Sequence, residues 1–239
     1  MSIANWKERE KEQRGNDIID AAEKLFFNRA YDGVSMDDIA SEVGLGKGTL
    51  YLYFKDKESL YYAVALRGMR ILNEMHVRCS NLDAGGIDKL RALTHGYHEF
   101  AREHPQYFLM LCHVASNPSS AKGNDYVKKF TELALGNIQI TSRVLEEGMT
   151  EGKVRNDLDP TEMAIFLSII GNSILKMDPV WEVTLQANGT GRDQIWSHYL
   201  RFISPAVVTS RDSLLVDDRN DGVDIEKPWP VHVDRTNRD

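Results

Sequence analysis

The chain has 239 residues, of which 42% are hydrophobic and 27% charged, and its formal net charge is -7. These proportions are ordinary for a globular protein and exclude a collagen-like or wholly disordered chain. The two cysteines, Cys79 and Cys112, have neither metal-ligand spacing nor the number that a disulfide framework needs. Since no apolar run has the length of a bilayer span or the form of a secretory signal, we expect a cytoplasmic protein without membrane contact.

Acidic residues outnumber basic ones along the whole chain. Residues 1–60 carry nine basic and twelve acidic side chains, residues 61–205 carry fifteen and sixteen, and residues 206–239 carry five and eight. Any binding of nucleic acid therefore has to use a local positive patch. Residues 44–57, "GLGKGTLYLYFKDK", are such a patch, because they hold three lysines and a single Asp.

Helical spacing of apolar residues dominates from the beginning of the chain, and no run alternates as a strand would. Ile18, Ala22, Leu25 and Phe26 follow one another at i, i+4, i+7 and i+8, which predicts an amphipathic helix that ends before "YDGVS". The charged stretch "NWKEREKEQR" upstream predicts an extension of this helix as a solvated arm. The fold class is therefore predicted to be all-α.

A second, short helix has clear signals at both ends. Ser35 and Asp38 have the spacing of a capping box, in which the hydroxyl accepts from the N3 amide and the N3 side chain reaches back. Gly44 stands where a helix often ends in the left-handed conformation.

A third helix is predicted to begin near Gly48, with Leu50 and Phe54 as its buried pair, and Asp56 is expected to cap a fourth helix. A helix, a tight glycine turn and a further helix have the outline of a helix-turn-helix motif. The outer side of the third helix is expected to carry Thr49, Leu52 and Tyr53, with Tyr51 at the boundary.

Beyond residue 72 the pattern predicts a longer array of helices. One ends before Pro105, the next begins there, a long helix follows from about residue 126 to 149, and Asp159 caps another; the last helix is expected at about residues 193–203. The predicted organisation is a DNA-binding domain at residues 1–60, a larger helical domain at residues 61–205, and an acidic tail of uncertain order at residues 206–239.

The N-terminal region resembles a known family. Residues 18–64, "IIDAAEKLFFNRAYDGVSMDDIASEVGLGKGTLYLYFKDKESLYYAV", are similar to the DNA-binding domain of the TetR family of bacterial transcriptional regulators. The most specific part is "GKGTLYLYFKDKESL", which corresponds to the recognition helix, the turn and the start of the fourth helix. Two positions depart from the pattern, because Gly46 stands where Ser is frequent and Leu52 where an aromatic residue is common.

The resemblance implies an operator duplex as partner and a set of DNA contacts. Tyr53 and Lys57 would bind phosphates, whereas Lys47, Thr49 and Tyr51 would approach bases. The full set of implied contacts is Ser35, Lys47, Gly48, Thr49, Tyr51, Tyr53 and Lys57.

The family also implies a homodimer formed by the last two helices of the larger domain. The helix from Met163 to Leu175 is apolar almost all round, so one side needs a second cover, and a partner subunit would supply it. The residues expected at this interface are Phe166, Ile170, Ile174, Trp196 and Leu200.

Family members commonly release DNA when a small molecule enters the larger domain. Here a pocket would be apolar and aromatic, which favours a hydrophobic or aromatic effector. Its candidate lining consists of Tyr97, Phe100, Tyr107, Phe108, Met110, His113, Phe130, Met149, Met163, Phe166 and Met177. Aromatic and Met residues at helical spacing belong to a packed core more often than to a ligand pocket.

The sequence is also compatible with functions other than that of an effector-responsive repressor. A protein partner could control the DNA-binding protein, or it could act architecturally without a ligand; a solid core in the larger domain would favour this alternative. His95 and His98 have a spacing that two metal ligands could use, but we expect ordinary helix histidines, no metal and no cofactor. No nucleophile motif is present and "GLGKG" lacks the Walker spacing, so we do not expect an enzyme.

Overall fold

The computed structural model describes residues 3–119 and 123–209, which are almost entirely helical and confirm the all-α prediction. The helices are α1 (Ile3–Asn28), α2 (Met36–Val43), α3 (Lys47–Tyr53), α4 (Lys57–Ser80), α5 (Gly86–Glu103), α6 (Pro105–Ser116), α7 (Asp125–Thr150), α8 (Pro160–Lys176), α9 (Pro179–Ala187) and α10 (Arg192–Val207). In these ranges the single extended pairing is an antiparallel bridge between Val154 and Val208.

The predicted start and end of α2 are present in the structure. The Ser35 hydroxyl accepts a hydrogen bond from the Asp38 amide at 3.1 Å, and the Asp38 carboxylate accepts one from the Ser35 amide at 2.8 Å. Gly44 ends the helix with φ 71°, a conformation that costs little without a Cβ atom. The predicted cap of α4 is also confirmed, since the Asp56 carboxylate accepts from the Ser59 amide at 2.8 Å.

The helix α4 joins the N-terminal three helices to the rest of the molecule. Its residues from Ser59 to Leu66 are all buried, and Met69, Leu72 and Met75 continue the buried surface further along. One hydrophobic core therefore extends from Ile18 in α1 to Val208 after α10. The helices α1 to α3 therefore share their core with the larger helical body.

The body is built around α7, which packs against α4, α5 and α8. Two glycines let α5 and α7 approach closely, because a Cβ atom added to Gly86 would lie 2.3 Å from the Gly148 nitrogen. The close contact holds the start of α5 against the last turns of α7.

The sequence prediction missed α9, a short helix with Pro179 in its first turn. No single helix in the described part of the chain is long and apolar enough to cross a membrane. The pair α8 and α9 reaches that length and hydropathy together, but the two helices bend by 70° at their break.

The predicted boundary between the larger domain and the acidic tail lies within the last turn of α10. The helix α10 runs to Val207, past the expected boundary at residue 205. Residues 210–239, which form most of the predicted tail, lie outside the described residues.

Candidate nucleic-acid interface

The helix α3 is short and firmly anchored on one side. Leu50 is 0% exposed and Phe54, its C-cap residue, is 2% exposed. The Phe54 ring also stacks on Tyr126 of α7, with centroids 5.7 Å apart. A helix held in this way presents its opposite side in a fixed orientation.

The opposite side, which we call the outer face of α3, consists of Lys47, Gly48, Thr49, Tyr51 and Leu52, all of them exposed. The Tyr51 side chain is 44% exposed and that of Leu52 80%. Tyr53 is half-buried and packs against the core, so the sequence reasoning had exchanged the positions of the two tyrosines. The reason is helical spacing, because Tyr53 follows buried Leu50 by three residues and so lies on the anchored side of α3.

Gly48 lies in open space on this face. A Cβ atom added at Gly48 would meet nothing within 4 Å, and the same holds for Gly46. The fold itself therefore does not require a missing side chain at position 48, although glycine in a helix costs about 1 kcal/mol relative to alanine. Close approach of another backbone, such as that of a nucleic acid, would require it.

The positive groups near α3 are engaged with neighbouring residues. The Lys47 ammonium lies 2.7 Å from the Asp37 carboxylate, and this hydrogen-bonded pair raises the pKa of Lys47. The Lys57 ammonium donates to the Tyr31 carbonyl oxygen at 2.9 Å and lies 4.1 Å from the centroid of the Tyr31 ring. A phosphate that binds either lysine would have to compete with these partners.

Ser35 is the remaining predicted DNA contact. Its hydroxyl donates to Asp38 at 2.5 Å, and this hydrogen bond lowers the pKa of the Asp38 carboxyl group. Because the hydroxyl is used in the cap, a phosphate at this position would meet the amide groups of the first turn of α2, which attract anions.

The structure adds two residues that sequence reasoning missed. Asp37 holds Lys47, and Tyr31 holds Lys57. The signal for Asp37 was its position in the first turn of α2, next to the cap. Tyr31 carried no comparable signal, since it is 26 residues from the lysine that it contacts.

The predicted effector-pocket residues are spread through the body. Phe100, Phe108, Met110, Phe130 and Met163 are each less than 8% exposed and belong to the packed core. His113 is exposed next to aromatic rings, Met149 is half-buried, and Phe166 lies on the surface.

Two tyrosines of the predicted pocket are bound to polar neighbours. The Tyr97 hydroxyl donates to the Asn172 side chain, and burial raises the pKa of Tyr97. The Tyr107 hydroxyl donates to Glu23 of α1 at 2.7 Å, which connects α6 to the N-terminal helices.

An open depression of about 450 Å³ lies at the junction of α8 and α9. Its lining consists of Ser173, Ile174, Lys176, Met177, Asp178 and Trp181. Of the predicted pocket residues, Met177 alone lines this depression.

The predicted dimer residues are divided between surface and interior. Phe166 is 53% and Ile170 37% exposed, whereas Trp196 and Leu200 are 6% and 8% exposed. The last two pack within the subunit, because the stripe of α10 that carries them faces α5 and α8. They are therefore not on the surface that a partner would meet.

An apolar strip remains uncovered on α8, and we call Ile165, Phe166, Ile169 and Ile170 the apolar face of α8. These four residues follow helical spacing, so they lie on one side of the helix.

The histidine pair on α5 is part of the packing between helices. The His98 Nε2 atom lies 3.1 Å from the Asp193 carboxylate of α10, and its ring stacks on Trp196 at 5.5 Å. Burial lowers the pKa of His98. No group of three residues able to hold a metal ion occurs in residues 3–119 and 123–209.

Comparison with known proteins gives a consistent result. Residues 18–64 match the family model described as bacterial regulatory proteins, tetR family. The negative transcriptional regulator IcaR of the biofilm operon icaADBC of Staphylococcus aureus is 33% identical over 110 residues, which is 46% of this chain and 58% of IcaR. The chain thus spans just over half the length of this curated relative.

Two further proteins match over a larger share of the chain. The transcriptional repressor KstR2 of Rhodococcus jostii is 29% identical over 156 residues, 62% of this chain and 72% of that protein. The solved structure of the ketosteroid transcriptional regulator KstR2 of Mycobacterium tuberculosis has the same fold, with a TM-score of 0.59, 19% identity and coverage of 82% of this chain and 96% of that one. Residues 18–64 are thus similar to the tetR family of bacterial regulatory proteins, and the chain shares the all-α fold of the solved regulator.

Proposed function

We propose that the protein is a sequence-specific DNA-binding transcriptional regulator. The observation that carries the proposal is the outer face of α3, where exposed Thr49, Tyr51 and Leu52 stand on a helix fixed by buried Leu50 and Phe54. A recognition helix in the major groove needs this combination of a rigid support and groups that reach base edges. Lysines beside it would bind phosphates and set the position of the helix.

The regulator is proposed to act as a homodimer. The apolar face of α8 supports this, because a strip of large apolar side chains with no cover inside the subunit marks an interaction surface. Two recognition helices about one DNA turn apart would then read an operator with two-fold symmetry.

We further propose that the regulator represses transcription and is released by a small hydrophobic or aromatic effector. IcaR is named as a negative regulator and KstR2 as a repressor and ketosteroid regulator. In this chain the open depression between α8 and α9 offers an apolar lining with Ile174, Met177 and Trp181, next to the proposed dimer face.

The alternative, control by a protein partner or an architectural role, is favoured by one observation. Most of the residues predicted to line an effector pocket are packed in the core of the body. An effector would have to use the open depression or separate packed helices, whereas a protein partner requires neither.

Selection of binding sites from random duplexes by the full chain tests the proposed function. We expect recovery of a symmetric motif, and we expect Tyr51→Ala to weaken binding to that motif by about 10- to 100-fold while binding to random duplex changes little. Recovery of no motif by the wild-type protein would contradict the proposal. A thermal-shift screen of hydrophobic compounds then separates the repressor with an effector from the alternative.

A further inference from the structure

The outer face of α3 has an outermost ridge, which is formed by Gly48 and Leu52. Successive residues of an α-helix lie about 100° apart around its axis. Gly48 and Leu52 are two positions before and after the buried anchor Leu50, so both point almost directly away from it. They are four residues apart and therefore lie on one line along the helix. Exposure agrees with this geometry, since Leu52 is 80% and Tyr51 44% exposed.

The hydrogen-bonding side chains of the outer face lie on the two sides of this ridge. Thr49 and Tyr51 are each about 100° from the buried anchor, in opposite directions around the helix. By the same spacing Lys47 lies on the side of Tyr51. Gly48 has no side chain, and no atom lies within 4 Å of the position that its Cβ would take. The ridge thus offers a single large side chain, Leu52, and this side chain is apolar.

The helix α3 is short enough for its ridge to face bases along its whole length. Its seven residues span about 10 Å, which corresponds to about three base pairs at about 3.4 Å each. A helix that lies in the major groove over so few base pairs presents its outermost ridge to base edges and its flanks to the walls of the groove. Leu52 is consequently placed for a base edge, and it has no group that could bind a phosphate.

An exposed leucine on a protein surface has no meaning by itself. On this ridge its chemistry determines what it can recognise, because the leucine side chain neither donates nor accepts a hydrogen bond. Among the groups that base pairs present in the major groove, the C5-methyl group of thymine is the apolar one. We infer that Leu52 reads the C5-methyl group of a thymine at one position in each half-site. This inference rests on the proposed function and adds to it the residue and the base that this residue selects.

The test replaces thymine by deoxyuridine, which removes the C5-methyl group and leaves the hydrogen-bonding groups of the base in place. The probes are duplexes that carry the motif selected by the wild-type full chain, each with one thymine per half-site replaced. At one of these positions we expect the wild type to bind about 10- to 20-fold more weakly. The reason is that burial of one methyl group contributes about fourfold in affinity, and the dimer makes the contact twice.

The variant Leu52→Ala identifies the side chain that reads the methyl group. Since Leu52 is 80% exposed, the variant should fold as the wild type does. It should bind the thymine and deoxyuridine duplexes equally, within about twofold. Thr49→Ser removes a methyl group from the flank of the helix and keeps the hydroxyl, so it should retain the preference for thymine at this position. Leu135→Ala, which shortens another exposed leucine on α7, is the matched control and should bind both duplexes as the wild type does.

A repeated selection with Leu52→Asn gives a second readout, which a loss of stability would not change. We expect the preference for thymine at this position to disappear and the rest of the motif to remain.

Three results would overturn the inference: no replacement by deoxyuridine weakens binding of the wild type, Leu52→Ala keeps the full difference between the two duplexes, or Leu52→Asn selects the same thymine. In each of these cases the proposed function would stand. Failure of the wild type to select any motif would instead contradict the proposed function itself.

Discussion

The outer face of α3 and the apolar face of α8 are both exposed in the described part of the chain, and they differ in chemistry. The outer face of α3 carries a lysine, a glycine, a threonine, a tyrosine and a leucine, and it is next to further basic groups. The apolar face of α8 carries only isoleucine and phenylalanine side chains, which are between 37% and 58% exposed. The first surface suits a charged, hydrogen-bonding partner such as DNA, and the second suits the burial of apolar area against protein.

The helices that carry these two surfaces are also held in the fold in different ways. The recognition helix is short and depends on a few fully buried anchors, whereas α8 is long and is held by α6, α7 and α10. Changes on the two surfaces should therefore affect different measurements, and the following predictions use this difference.

Charges on the apolar face of α8 should have the largest effect. Phe166→Glu/Ile169→Glu places carboxylates where the proposed dimer buries apolar side chains, and we expect dimer association to weaken by at least about 1000-fold. Sedimentation at micromolar concentration should show a monomer that remains folded. Leu135→Glu, at another exposed apolar residue (59% exposed) on α7, is the control and should remain dimeric. A dimer formed by the double variant would exclude this face as the interface.

The two leucines of α3 provide a comparison within a single helix. Leu50→Ala removes a fully buried anchor and should lower the free energy of unfolding by about 2–5 kcal/mol. Leu52→Ala, at an 80% exposed position, should change it by less than about 0.5 kcal/mol. Chemical denaturation measures both. Equal losses of stability would contradict the assignment of the two sides of the helix.

Gly48→Ala should have a smaller effect on stability, and of opposite sign. Since the added methyl group meets no atom within 4 Å, the variant should be more stable by up to about 1 kcal/mol. DNA binding should nevertheless weaken, because the methyl group would occupy the space that the DNA backbone enters. If DNA affinity is unchanged, Gly48 has no role at the interface.

Lowering the pH should affect the body before the N-terminal cap, and this is the smallest effect that we expect. Burial lowers the pKa of His98 and of His76, so the unfolded chain takes up protons more readily and stability decreases as the pH falls below about 6.5. The hydrogen bonds from Ser35 lower the pKa of Asp38, so its carboxylate stays ionised in the α2 cap to a lower pH than that of an ordinary aspartate.

Thermal melting between pH 7.5 and 5.5 tests this expectation. In the variant His98→Gln, the melting temperature should decrease less between these two pH values. If the variant is well folded and its pH dependence equals that of the wild type, His98 does not contribute. The acidic groups that face His98, Asp193 and Glu99, oppose the effect of burial but do not cancel it.

The local part of the fold could be predicted from sequence because its signals lie within a few residues of each other. The capping box of Ser35 and Asp38, the left-handed Gly44 and the buried pair Leu50 and Phe54 each depend on spacing along one or two turns. The same spacing located the starts of α6 and α8, each with a proline in its first turn.

Most of the errors concern contacts between distant segments. Trp196 was placed outside, because periodicity shows which residues share a side of a helix but not which neighbour covers that side. The exchange of Tyr51 and Tyr53 is a local error, since Tyr53 follows buried Leu50 by three residues and this spacing already favours its burial. The contact of Lys57 with Tyr31 depends on the fold of the whole N-terminal region.

The N-terminal extension of α1 was also predicted from local sequence, and the helix begins at Ile3. The effector pocket stays a prediction, since nothing in the pattern separates a ligand-lining aromatic residue from a core residue such as Phe108.

Hydroxyl-radical footprinting of the full chain on its selected motif tests the central claim most directly. The account predicts two protected regions related by two-fold symmetry and about one helical turn apart, both lost in Tyr51→Ala at concentrations where the wild type protects fully. Protection of a single unsymmetrical region, or protection that Tyr51→Ala leaves unchanged, would contradict the claim that paired α3 helices read the DNA.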